Sequence, residues 1–533
     1  MNGRKCIRGA VAVVAAAVSV QALAAPCGRK IVGLGHEFYD RHAAEALAVG
    51  GEFRRTPLDG IALPMFVRPK DGGAAVRSAT LMDETNQWDF ASLAGEIADF
   101  RKLPEATGLT DNFIYAFRHP SRRISWTDDA RWELIAANLR VLARACRAAG
   151  LRGFVIDPED YRKQDQFGWR PDESSYEEAA NRVRSRAAQL FRGVFEDYPD
   201  ITLIAYWFFS MDRNLGRTCD LHAAARDRGS LWSAFVNGIL DVAPASARLV
   251  DANENYHYRA RFNDFPLAAA QIRRCFDLAA PENRAKCRQL MDVGFGLWLG
   301  MYLKDEDRPR TKDLDKWSFE DPVPSRCGRL VENLSQALAA SDSYLWFYTA
   351  SEQLAWVHWP KGAVSKWPTW GDRHPQLLEA MRLAKDPDGW MAERLPDLER
   401  DGRLVNLIPA NRQKPSDVLG ANGKSEYRTY SVADVKPDEV YGCRVRVSGE
   451  GAHVAAYWNA KGLKRRPNMV PPVTIPFKER FAGTPRTVTG CVIVPPGVDR
   501  LDVAVRALPS RSGACVEQVE VWKLASFAED SEK

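Results

Sequence analysis

The chain has 533 residues, of which 45% are hydrophobic and 27% charged, ordinary values for a globular protein with room for a large core and one or two domains. The formal net charge is +5, and without Arg4, Lys5 and Arg8 near the start 71 Lys+Arg remain against 69 Asp+Glu. That balance, with no dense basic face interleaved with aromatic residues, argues against a nucleic-acid partner.

The first residues read as an export signal over 1–25. Arg4, Lys5 and Arg8 form a basic start, residues 10–20 an apolar middle, and Ala22-Leu23-Ala24-Ala25 a small-residue cleavage site. The apolar part is too short to span a bilayer, and no later stretch reaches ~20 apolar residues. The expectation is an exported protein, periplasmic or extracellular, with no membrane insertion once the leader is removed. Ten cysteines are present and Cys6 leaves with the leader. Cys275 and Cys287 are the expected disulfide, and the odd remainder leaves at least one free thiol. No CxxC or CxxxC pair occurs, which argues against structural zinc.

From Lys30 onward, short apolar runs alternate with helical patterns. The predicted strands cover 31–35, 60–67, 112–117, 153–157, 201–208, 248–252, 294–302 and 343–348. One intervening helix is predicted to start at an N-cap on Thr127, with Trp132, Ile135, Leu139 and Leu142 on its apolar stripe. Another follows Pro324 and carries Leu330, Leu334 and Leu338 on one face, and a last one covers 376–384. Eight strands alternating with helices predict an α/β fold of the (β/α)8 barrel type over residues 26–395. The competing open, doubly wound sheet lacks a Gly-rich phosphate loop after its first strand.

After Asp386-Pro387-Asp388-Gly389 the pattern changes. Short alternating runs such as Tyr441-Gly442-Cys443-Arg444-Val445-Arg446-Val447 are separated by turn signals, among them Ala421-Asn422-Gly423 and Pro495-Pro496-Gly497. That predicts an all-β sandwich over residues 396–533. The segments Val435-Lys436-Pro437-Asp438-Glu439-Val440-Tyr441, 487–497 and 516–522 resemble the jelly-roll carbohydrate-binding modules that accompany polysaccharide enzymes. No linker or internal repeat separates the two parts, so they are expected to pack together.

In such a barrel, chemistry gathers at the C-terminal ends of the strands. Those positions hold His36 and Glu37 after the first strand and His119 after the third. After the fourth come Asp157, Glu159 and Tyr161, and after the fifth Trp207. The sixth supplies Asn253, Glu254, Tyr256 and His257. The eighth supplies Trp346, Tyr348 and Glu352, followed by Trp356 and Trp359. Strand alternation puts Val155, Asp157 and Glu159 on one face, with the two carboxylates roughly 6–7 Å apart at the end of a buried strand. Acids converging with aromatics suit sugar chemistry. One carboxyl group, held protonated, donates to the leaving oxygen while a second, ionised, attacks or activates water, and aromatic faces meet the C–H faces of sugar rings. Seven of the 16 tryptophans fall between Trp298 and Trp370, enough for a cleft with several subsites even if half are core.

Asp157-Pro158-Glu159 resembles the strand-four DxE element of family 18 chitinases and related barrel glycosidases. The resemblance implies Glu159 as acid and Asp157 as a residue assisting an N-acetyl group of the substrate. The longer DxxDxDxE pattern is absent, since Arg152, Gly153, Phe154 and Val155 precede. An ordinary pair, Glu159 as acid with Glu254 or Glu352 as base or nucleophile, is the other reading, with Glu254 ahead because it follows its strand directly. Asp157 would then tune Glu159.

No metal and no cofactor is expected. The first strand lacks His-x-His, having Leu34 before His36, although His36, His119, His257 and His358 offer a weaker metal alternative. The G-x-S-x-G elbow, the P-loop and the dinucleotide fingerprint are all absent. The predicted function is an exported glycoside hydrolase acting on a poly- or oligosaccharide. The alternatives are a non-catalytic glycan-binding barrel and another carbohydrate-active enzyme, a deacetylase or a lyase.

Overall fold

The computed structural model describes residues 28–161, 163–211, 220–254, 264–303, 326–349, 353–412, 418–419, 424–449, 452–459, 473–475, 485–494, 498–507 and 513–527. The leader expected over 1–25 lies outside them. Eight strands, Lys30–Gly35 (β1), Gly60–Leu63 (β2), Phe113–Arg118 (β3), Gly153–Asp157 (β4), Thr202–Ala205 (β5), Arg248–Asn253 (β6), Met291–Trp298 (β7) and Tyr344–Thr349 (β8), form a closed barrel. Each pairs in parallel with its chain neighbour, and β8 closes on β1 from Lys30↔Tyr344 to Gly35↔Thr349. This is the (β/α)8 barrel. Closure leaves no open edge, so the doubly wound sheet is ruled out.

Local chemistry explains the elements. The helix Asp129–Ala149 is capped by Asp128, which accepts from Arg131 N–H at 3.1 Å, and ends at Gly150 with φ 72°. The cap is therefore Asp128 and not Thr127, because the acid one residue on reaches the free N–H groups. The helix Arg326–Ala340 buries Leu330, Leu334 and Leu338 on one stripe, each contributing about 1.5–3 kcal/mol. The second predicted strand is split. Pro64, with no N–H to donate, ends β2, and Phe66–Val67 pairs instead with Val76–Arg77 in a hairpin. The seventh starts earlier than expected and stops at Trp298, where a 3-10 turn begins.

Side chains sort by strand parity. Val32, Leu34, Phe113, Val155, Ile204, Val250 and Trp346 fill the interior, while Phe154 and Ile156 pack outward beneath the helices. Gly153 opens β4 because a Cβ there would stand 1.8 Å from the Thr202 carbonyl oxygen. On β7 the interior positions include Gly296, whose added Cβ would stand 2.4 Å from the Trp346 ring. The space lets Trp346 reach across from β8 and donate its indole N–H to Ala252 O of β6 at 2.9 Å.

The helix Pro387–Arg400 occupies the stretch read as the start of the change in character, capped by Asp386. Beyond it lie two four-stranded antiparallel sheets. With Val418–Leu419 (β9), Glu426–Ala433 (β10), Glu439–Gly449 (β11), Ala452–Asn459 (β12), Val473–Ile475 (β13), Arg486–Ile493 (β14), Arg500–Ala507 (β15) and Ala514–Ser526 (β16), their orders are β9-β16-β11-β14 and β10-β15-β12-β13. Val445, Val488, Val503 and Val519 are part of the core between them, the sandwich expected from the alternating pattern. The sandwich packs on the barrel. Val440, Trp522, Leu524 and Phe527 join the barrel's outer core, Phe527 meets Trp390 edge-on at 6.1 Å, and Gly328 N–H donates to Asp438 at 2.8 Å.

The expected disulfide is not formed. Cys287 is an unbridged thiol 3.5 Å from the Met291 sulfur, so its helical turn is held by packing and not by a bridge to Cys275. Among the described residues no helix is long and apolar enough to cross a membrane.

Candidate active site

The floor of the barrel's C-terminal mouth is aromatic. Tyr206, just past β5, stacks on Trp346 with ring centroids 4.6 Å apart and 16° between planes. Tyr115 of β3 and Tyr39 of the loop after β1 lie alongside, 5.0 Å between centroids. Asp157 stands among these rings, 2% exposed. Its Oδ2 accepts from Tyr115 Oη at 2.8 Å and its Oδ1 from Glu159 N–H at 2.9 Å. Burial, then the charge of Glu159, pushes the Asp157 carboxyl up to about 7. Glu159 is also raised by burial, partly offset by the Tyr161 hydroxyl that donates to its Oε2. The two carboxyls titrate as neighbours, so a proton held at neutral pH belongs to the pair.

Glu254 follows β6 directly. Its charge reaches the same group: burial first, then Asp157, and more weakly Glu254, raise the Tyr39 hydroxyl. His36 is at the rim between Tyr39 and Tyr348, with centroids 5.5 and 6.0 Å away, and partial burial lowers its pKa. Trp207 is interior, edge-on to Tyr206. The opening beside Glu159 is a small cleft lined by Asp83, Arg118, His119, Pro120, Ser121, Glu159 and Tyr161. In its wall, His119 Nε2 accepts from Gln166 N–H at 3.3 Å while Nδ1 faces Pro120 O at 3.1 Å and Asp160 at 3.3 Å. Both ring nitrogens are thereby occupied by protein, and burial lowers the pKa of the ring.

Several expected contact residues are turned elsewhere. Glu37 is fully buried and accepts the Trp356 N–H on both oxygens, at 3.2 and 3.0 Å. It clasps the loop after β8 to the loop after β1 and does not face the mouth. Trp356 packs on Phe347, and Trp359 on Phe38 and Phe53. Both belong to the outer core, because the chain after β8 folds down the barrel's side. Asn253 is 1% exposed and donates to Ser210 Oγ at 2.8 Å, while Ser210 is held by Asp251. That latch joins the β5 loop to β6 outside the mouth. His358 is bound by Glu52 and Asp372, each at 3.0 Å, which removes it from any convergence with His36 and His119. Glu352, Tyr256 and His257 lie outside the described residues. The structure thus brings together Asp157, Glu159, Tyr161, Glu254, Trp346, Tyr348, His36 and Trp207, and adds Tyr39, Tyr115, Tyr206 and Arg118. Tyr39, Tyr206 and Arg118 were readable as strand-end residues, while Tyr115 lies within β3 and the inward facing of Arg118 needed the β3 register.

The fold and its mouth define a TIM barrel with a C-terminal β-sandwich, its carboxylates gathered over aromatic rings. No family model and no curated protein matches the chain. Among solved structures it is similar to a glucosidase from Croceicoccus marinus, at 11% identity over 86% of this chain and 92% of that one, with a TM-score of 0.35. It is similar also to a Thermobaculum terrenum O-GlcNAc hydrolase mutant, at 10% identity over 70% of this chain and 63% of that one, with a TM-score of 0.34. A Bacteriophage CBA120 tailspike protein 4 domain overlaps at 13% identity over 19% of this chain, which spans 14% of its length, with a TM-score of 0.16. At these scores the likeness bears on nothing further, and the barrel assignment rests on the strand order itself.

Proposed function

We propose that the protein is an exported glycoside hydrolase acting on a poly- or oligosaccharide, with residues 26–395 as its catalytic part and 396–533 as its sandwich companion. One observation carries this reading. A buried Asp157 and a half-buried Glu159 form a carboxyl pair, both with raised pKa, beside the stacked floor of Tyr206 and Trp346. A carboxyl group that keeps its proton near neutrality can donate to a glycosidic oxygen, and a flat aromatic surface supports the apolar face of a sugar ring.

Glu159 is assigned as the acid, because it lines the open cleft while Asp157 is enclosed by Tyr115 and the backbone. Asp157 holds the pair's second proton site and keeps Glu159 oriented through its N–H. Glu254 is the candidate base or nucleophile, entering from the end of β6. Glu159→Gln should lose at least ~100-fold in turnover with its circular dichroism unchanged, measured as reducing ends released from a polysaccharide panel. Near-normal release by that variant overturns the assignment. Binding without release by the native chain would make it a glycan-binding barrel, and an ultraviolet-absorbing unsaturated product would make it a lyase.

A further inference from the structure

One cleft residue is left unused by acid–base chemistry, and it reaches the cleft by a specific device. In the β3–β4 register Tyr115 pairs with Val155, but Phe117 pairs with Ile156 and Arg118 with Asp157. β3 therefore carries one extra residue, a bulge at Ala116, and its alternation flips there. Without the bulge, Phe117 would share Tyr115's inward face and Arg118 would be turned out among the helices. With it, Phe117 packs outward against Phe235, centroids 6.3 Å apart, and Arg118 takes the parity of inward-facing Asp157.

Arg118 lines the cleft together with Glu159 and Tyr161. Its side chain is 36% exposed, and its one ion pair among the described residues is Asp83 Oδ2 at 3.9 Å, beyond hydrogen-bond reach. The other oxygen of Asp83 is taken by Ser121 N–H at 2.6 Å. The guanidinium makes no hydrogen bond to any described residue. Arg122, four residues on, is exposed and also lacks a hydrogen bond or ion pair among them. Elsewhere in the barrel, arginines that flank buried structure are tied down: Arg131 to Met82 O and Glu84 O, Arg123 to Asp165 O and Gly168 O. A planar fork of five donors left open beside the candidate acid suits a carboxylate or a sulfate, which it can bind with two parallel hydrogen bonds.

We infer that the sugar bound beside Glu159 carries an anionic group received by Arg118, so that the substrate is an acidic glycan. This rests on the glycosidase reading for the position of the sugar. The neighbouring acids do not forbid it: Asp83 gives one oxygen to Ser121 N–H and stands 3.9 Å from the guanidinium, and burial holds Asp157 and Glu159 toward their protonated forms.

The test is calorimetric binding to full-length Glu159→Gln, which separates recognition from turnover. The probes are oligogalacturonate, hyaluronan, alginate and heparan-sulfate oligosaccharides, with carboxyl-reduced forms of the first three and the desulfated, N-acetylated, carboxyl-reduced form of the last as neutral partners. At least one acidic oligosaccharide should bind ~10-fold or more tightly than its neutral form. Adding Arg118→Gln should erase that preference while leaving the neutral form's affinity within about two-fold, and Arg118→Lys should restore part of it. Preference for uronate or for sulfate identifies which anion is read. Equal affinity for charged and reduced forms, an Arg118→Gln loss that falls alike on both, or no acidic ligand bound at millimolar concentration overturns the inference. If acidic glycans bind through Arg118 while the native chain releases no reducing ends, the hydrolase reading falls and this one stands.

Discussion

The barrel contains one hydrogen bond twice. At the N-terminal end of the strands Tyr344 donates to Asp111 at 2.9 Å, and at the C-terminal end Tyr115 donates to Asp157 at 2.8 Å. Both acids are buried, 3% and 2% exposed. Their surroundings are opposite. Asp111 has Arg152 at 3.2 Å and Lys30 at 3.9 Å. Asp157 has no ion pair among the described residues, and its neighbour is a second acid that pushes its carboxyl further up. A charge buried with cations is a structural tie, whereas one buried beside another acid costs stability and needs a use. The same pair of residue types serves architecture at one end and chemistry at the other.

Substitutions at the two acids should separate their roles. The largest effect is expected for Asp157→Asn, with kcat/KM down by ~100-fold or more and the thermal midpoint unchanged or higher. A variant that melts early while remaining active would make Asp157 another structural tie. Asp111→Ala should do the reverse, losing about 1–3 kcal/mol in urea denaturation with turnover preserved.

Gly296→Ala comes next. The new methyl would collide with the Trp346 ring, at a cost of about 1–3 kcal/mol, and should tilt the sugar platform enough to raise KM. Unchanged kinetics would mean that Trp346 is core alone.

The smallest effect is on the pH dependence of stability. Asp157 titrates at about 7 when folded against ~4 in an unfolded chain. Between those values the folded protein holds a proton that the unfolded one has released. Its contribution to stability is therefore complete below ~4 and lost as pH rises through about 7. The native melting temperature should fall across that window relative to Asp157→Asn. Parallel curves for the two would mean that the fold holds no extra proton on Asp157.

Much of the fold was legible because the periods were clean. β4 is bounded as its composition dictates, with Gly153 at a close approach and Pro158 after its last residue, and the Leu330, Leu334, Leu338 stripe is the buried face of its helix. The site was legible only where a residue ends a regular strand. Asp157 and Trp346 were readable on that rule. Arg118 stands at the end of the third strand, but its facing was hidden because one bulged residue inverts the alternation, and a bulge leaves no period in the sequence. Trp356 and Trp359 misled because they follow a strand end, while their destination depends on a backbone turn set by a contact with Glu37. Asn253 misled for the same kind of reason: its amide answers to Ser210, a tertiary partner on another loop.

The Glu37 clasp has a consequence for how the molecule is made. It joins positions 319 residues apart, and the β1–β8 seam beside it is formed by the first and last strands of the barrel. A ribosome has therefore finished seven strands before the wall that carries Trp346 can be set in place. Until then Tyr206 has no ring to stack on, and the Asp157 pocket lacks one side. The acid pair is synthesised well before Trp346, the ring that completes its floor. Activity should appear late and abruptly during refolding, with the closing of that seam, and not in proportion to the helix content that local contacts supply early.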